Sequence, residues 1–114
     1  MSTEQTLYST LKNDAGVSAL VGTRIYPLLL PQNPTYPAIT YQRISTRPVM
    51  TRTGNGLDFV RMQIDCYADS YSGVKALAAA VEAALSTDYE LGKTDFYDDT
   101  LEIFRVSMDY QFSE

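Results

Sequence analysis

The chain contains no histidine and no tryptophan, and its only cysteine is Cys66. Without histidine there is no ordinary neutral-pH base, no serine or cysteine triad and no imidazole to hold a metal. A lone cysteine cannot close an internal disulfide, and a zinc site needs more Cys or His than these 114 residues own. The six glycines are scattered and match neither a phosphate loop nor a dinucleotide fingerprint. The longest mostly apolar run, residues 74–85, is too short to span a bilayer and is broken by Lys75 and Glu82. The opening Met1-Ser2-Thr3-Glu4-Gln5 lacks the basic and apolar regions of a signal peptide, so a cytoplasm is the expected place of synthesis. Only carboxylates remain for chemistry. Asp95, Asp98, Asp99 and Glu102 are the one group able to hold a divalent cation or act as an acid/base pair, and their spacing matches no calcium loop. The expectation is a chain without catalytic residues, cofactor or metal.

What is present is a strand that feeds straight into an amphipathic helix. Val60, Met62, Ile64, Cys66 and Ala68 alternate with Arg61, Gln63, Asp65 and Tyr67, the period of a strand with one buried face. Val74, Leu77, Ala78, Val81, Ala84 and Leu85 then recur at helical spacing and supply the cover for that face. Asp69, Ser70 and Ser72 lie at the junction, where a short oxygen-bearing side chain can accept from first-turn amides.

Before this unit, residues 4–13 predict a short helix capped by Ser2 or Thr3 and stopped at Asp14-Ala15-Gly16, with a further helical turn over 17–21. Arg24-Ile25-Tyr26 is extended ahead of Pro27. Residues 27–37 hold four of the five prolines and form a stiff connection whose leucines, Leu28 and Leu29 among them, need shelter from the core or from a neighbouring molecule. Residues 38–45 alternate as a second strand. Residues 46–58, rich in Thr and Arg, carry Gly54-Asn55-Gly56 and suit a hairpin to the strand starting near Phe59. After the helix, residues 87–100 predict a polar connection with a short strand near Phe96, and residues 101–112 a last strand with Phe104, Val106, Met108, Tyr110 and Phe112 on its apolar face. The sum is one α+β domain over residues 1–114: a mainly antiparallel sheet of about four strands with two helices packed on one side. The helix of residues 74–85 becomes a crossover if its flanking strands are parallel neighbours.

Net charge is −5, which opposes general affinity for nucleic acid. The charges are segregated: residues 24–61 carry Arg24, Arg43, Arg47, Arg52 and Arg61 against Asp58, while residues 86–114 carry eight acids against Lys93 and Arg105. Nine tyrosines favour protein contact, because a tyrosine buries its ring and keeps its hydroxyl wet. Tyr26, Tyr36, Tyr89 and Tyr97, in connections, are the better interface candidates. With Leu28, Leu29, Arg47, Arg52, Asp98 and Asp99 they outline a contact in which a basic segment of one copy meets an acidic segment of the next.

Four blocks together carry a resemblance: Arg24-Ile25-Tyr26-Pro27; Tyr36-Pro37-Ala38-Ile39-Thr40-Tyr41-Gln42-Arg43-Ile44-Ser45; residues 60–68 leading into Tyr71 and the Ala-rich helix; and Arg105-Val106-Ser107-Met108-Asp109-Tyr110. In this order the chain resembles the small tail-completion or tail-terminator proteins of long-tailed bacteriophages and prophages. The resemblance implies a subunit of a homo-oligomeric ring, usually hexameric, which stops growth of the tail tube and presents a surface to the head-tail connector protein. It implies partners in the tail tube protein and the connector, no membrane, no specific nucleic acid binding, and no catalytic residues to carry over. The alternatives from other classes are a head-side connector or neck protein, a small metal-dependent enzyme using the acidic segment, and a nucleic-acid module using the arginine ribbon.

Overall fold

The computed structural model describes residues 2–48 and 58–113. Its centre is the predicted unit. Strand β3 (Asp58–Ala68) runs into helix α3 (Tyr71–Ala84), and Ser70 marks the boundary by accepting the Gly73 amide on its hydroxyl at 3.1 Å. Val60, Met62, Ile64, Cys66 and Ala68 are buried against Val74, Leu77, Ala78 and Val81, and Leu7, Leu11, Val17 and Val21 complete the same core. Each such side chain taken out of water contributes roughly 1.5–3 kcal/mol, which fixes the face on which every helix packs.

The N-terminal part has one helix more than expected. Helix α1 (Thr3–Asn13) starts with a reciprocal box in which Ser2 and Gln5 each accept the other's backbone amide. Asp14 then serves two elements: its amide donates back to Leu11, ending α1, and its carboxylate accepts the Val17 amide at 3.0 Å, starting α2 (Ala15–Val21). The expected stop is a joint, and the single turn beyond it is a seven-residue helix.

Among the described residues the sheet has five strands in the order β1-β2-β3-β5-β4 and is mixed, where about four mainly antiparallel strands were expected. The short β1 (Ile25–Pro27) pairs parallel with β2 (Ala38–Pro48). Beyond the end of β1, β2 keeps antiparallel partners in β3 as far as Pro48↔Asp58, three residues past its predicted end. The predicted Gly54-Asn55-Gly56 turn and Arg52 lie outside the described residues. Residues 87–100, expected as a connection, are mostly the ten-residue strand β4 (Tyr89–Asp98), antiparallel to β5 (Ile103–Ser113). Every residue of β4 is exposed, so no buried face imprints an alternation on its sequence. Because β5 lies between them, β3 and β4 run parallel without touching, and α3 is the crossover of a split β-α-β unit.

Candidate functional site

The helices cover one face of the sheet; the other is open and is built from the alternate residues. On β3 these are Phe59, Arg61, Gln63, Asp65 and Tyr67, paired across to Ser113, Gln111, Asp109, Ser107 and Arg105. The polar groups near the middle satisfy one another. Gln63 donates its amide to both carboxylate oxygens of the buried Asp65, and Arg61 donates to Asp109 on the next strand.

The proline-rich segment is tied to this sheet at two points: the Leu28 amide donates to the Tyr41 carbonyl at 2.9 Å, and Arg24 Nε donates to the Pro37 carbonyl at 2.9 Å. It thereby walls a cavity of about 410 Å³ with Leu30 and Tyr36 on one side and Tyr67, Phe96, Asp98, Asp99 and Arg105 around it. Four expected interface residues, Tyr36, Tyr97, Asp98 and Asp99, meet here. Burial, then the neighbouring Tyr67 and Asp98, push the Tyr36 hydroxyl pKa up, so it remains a neutral donor. Asp98 accepts the amides of Thr100 and Leu101 at 3.0 and 3.1 Å and so shapes the β4–β5 turn. Arg105 is the residue that sequence reasoning passed over. Its guanidinium lies 4.4 Å from the Phe96 ring centre, and its buried Nε has no acceptor among the described residues. The available signal was an arginine on the outward side of the last strand.

The other candidates divide between the two lateral edges. Leu28 and Leu29 stand 64% and 79% exposed beside β1, and Tyr26 is half-buried within it. Tyr89, like Tyr97 of the cavity, is exposed on β4, which forms the opposite edge. Of the ten large apolar residues exposed among the described residues, five belong to β4 or the turn after it (Tyr89, Leu91, Phe96, Tyr97, Leu101). Leu28, Leu29 and Ile44 lie at the β1/β2 side. Arg47 sits near the far end of β2 over the Phe59 ring, whereas Asp98 pairs with Ile103 at the other end of the sheet. At about 3.3 Å per residue these are roughly 30 Å apart along the strands, so one subunit does not bring its basic and acidic candidates together.

Among the described residues no three Cys, Asp or Glu side chains converge as a metal would require. Asp95 is engaged by Lys75 Nζ at 3.1 Å and by the Tyr71 hydroxyl at 3.3 Å. No described helix is long and apolar enough to cross a membrane.

Comparison with curated proteins finds no match. Among solved structures the fold is similar to a chain of "Virion of native gene transfer agent (GTA) particle", with a TM-score of 0.80 at 21% identity over 94% of this chain and 90% of that one. The model of a protein family described as "Tail completion protein gp17" matches residues 5–112. That match takes in nearly all of every strand and helix, and the chain therefore belongs to this family of structural phage tail proteins.

Proposed function

We propose that this tail protein is the subunit of a ring that caps the finished tail tube and joins it to the head connector. The observation that carries the reading is the placement of exposed apolar side chains at two different, opposite edges of the sheet. A two-fold dimer uses one patch twice and would leave the second patch wet. A head-to-tail contact uses both, and closes into a ring when the rotation between copies divides a full turn. Family membership supplies the context of the tail. On this reading the subunits assemble in the host cytoplasm and end at the head-tail junction of the virion.

Deleting the gene from the phage or prophage that encodes it tests the function. The expected result is overlong or ragged tail tubes beside heads that carry no tail, with both defects reversed by a plasmid copy. Tails of normal length that simply fail to find heads would favour a connector on the head side. Complete virions without the protein would defeat both readings.

A further inference from the structure

Resting on the ring proposed above, we infer that neighbouring copies join by main-chain pairing. The outer edge of β4 in one subunit adds as an antiparallel strand to the β1/β2 edge of the next.

Strand direction comes first. From β2 to β3, from β3 to β5 and from β5 to β4 every step is antiparallel, and β1 runs with β2. Strand β4 therefore runs opposite to both β1 and β2. Rotating a copy about an axis along the strands keeps every direction unchanged and sets its β1/β2 edge beside the first copy's β4. The pairing so formed is antiparallel, the commoner and slightly more stable arrangement. The same rotation keeps all helices on one side of the wall, so the open faces form a continuous surface.

The two edges also fit each other chemically. Among the described residues strand β4 pairs only with β5, so its outer amides and carbonyls have no strand partner there over ten residues. An exposed edge of that length is a template for another strand unless something blocks it. Strand β4 contains no proline, and of the charges it turns toward the helix side Lys93 and Asp95 are already paired within the subunit, with Glu82 and Lys75 of α3; it displays Tyr89, Leu91, Phe96 and Tyr97. The β1 ladder ends at Pro27↔Tyr41, and among the described residues no strand covers the outer side of β2 from Gln42 to Pro48. Leu28, Leu29 and Ile44 are the exposed apolar groups there. In charge, Arg43 of β2 is paired with Glu4, and Asp95 and Lys93 of β4 with Lys75 and Glu82; beyond these pairs β4 holds Glu90 and Asp98, while β2 holds Arg47 and no acid. Pairing β4 with a second β4 would set acids among acids, whereas pairing it with β2 sets acids beside arginine. The occupant of the β4 edge is therefore a second copy's β1/β2 edge.

Hydrogen–deuterium exchange of the full chain, followed by mass spectrometry in dilute subunit and in assembled ring, tests the pairing. The ring is prepared from the protein alone or on purified tail tubes. Main-chain pairing requires that segment 89–98 and segment 42–48, the stretch of β2 that β1 leaves open, both slow on assembly, by about tenfold or more at their outward amides, while the solvent face of α3 does not change. A ring in which segment 89–98 exchanges as in the subunit overturns the pairing and leaves the ring standing. Slowing of 89–98 without 42–48, together with a disulfide-linked dimer of a single Thr94→Cys variant, would mean β4–β4 pairing and also overturn the proposal. Failure to find any ring, alone or on tubes, overturns the ring and the pairing together.

Discussion

Cys66 and Tyr110 enter the core from neighbouring strands, and each carries a proton that the fold holds in place. Burial pushes the Cys66 thiol pKa far up, helped by Asp65 and Glu82, and burial followed by Glu90, Glu82 and Asp88 does the same to the Tyr110 phenol. An unfolded chain releases the same protons at ordinary values near 9.0 and 10.0. Above those values the native state binds more protons than the unfolded state, so stability falls as pH rises. The stability is full below pH 9, begins to drop as the unfolded thiol ionises, and drops more steeply beyond 10, by about 1.4 kcal/mol per pH unit for each group. Urea unfolding at a series of alkaline pH values should trace this two-step decline. Cys66→Ala should lower the whole curve yet remove the portion between 9 and 10. A native chain equally stable at pH 8 and pH 10.5 would show that solvent reaches these groups without unfolding.

At the scale of an element, the start of α3 shows how one hydroxyl and one missing methyl are matched. The Gly73 amide donates to Ser70 Oγ at 3.1 Å, and a Cβ added at Gly73 would lie 2.7 Å from that same oxygen. Replacing glycine by alanine within a helix ordinarily gains about 1 kcal/mol. Here the methyl displaces the capping hydroxyl, whose loss costs about as much. Gly73→Ala alone should therefore be near neutral and Ser70→Ala alone should cost about 1 kcal/mol. In the Ser70→Ala background, Gly73→Ala should recover most of that cost. A double-mutant cycle by thermal unfolding reads the coupling. If Gly73→Ala stabilises equally in both backgrounds, the hydroxyl does not hold the amide.

The same scale explains what could be read in advance. β3, α3 and β5 each bury one face, and burial writes a period into the residues: Val60 to Ala68 by twos, Val74 to Val81 at helical spacing. β4 buries nothing, and its order Tyr89-Glu90-Leu91-Gly92-Lys93 is further disrupted by a register shift between Glu90 and Gly92, so it read as a connection. β1 has only three residues and a parallel partner that no local pattern announces. Exposed tyrosines, leucines between prolines and segregated charge pointed to contact with another protein, but the meeting of Tyr36, Asp98, Asp99 and Arg105 around one cavity depends on three separated stretches of chain.

At the scale of the whole molecule, the sheet register says which charges can meet if copies join edge to edge. Arg43 shares a row with Met62, Tyr110 and Glu90, so without stagger between subunits the arginine end of β2 lies level with Asp88 and Glu90 of the next copy. Asp98 and Asp99 lie at the opposite end, level with the start of β2. In the subunit, burial holds the Asp88 pKa up; for Glu90 burial leads, with Glu82 adding to it and Lys93 opposing. A guanidinium arriving from a neighbour would draw both values back down. Carboxylate pKa values that are lower in the ring than in the subunit make assembly release protons, so the ring should strengthen as pH rises through the carboxylate range and weaken as pH falls through it. Such rim pairs contribute about 0–1 kcal/mol each and are screened beyond about 8 Å at physiological salt, so added salt should loosen the ring without unfolding the subunit. Arg47→Glu should raise the concentration needed for assembly in sedimentation experiments while leaving the thermal transition of the subunit in place. Adding Asp88→Lys to that chain should restore part of the assembly, and adding Asp99→Lys instead should restore none. Rescue by Asp99→Lys and not by Asp88→Lys would mean that the edges meet in another register, and assembly indifferent to salt, pH and all three substitutions would mean that apolar edge contacts alone close the ring.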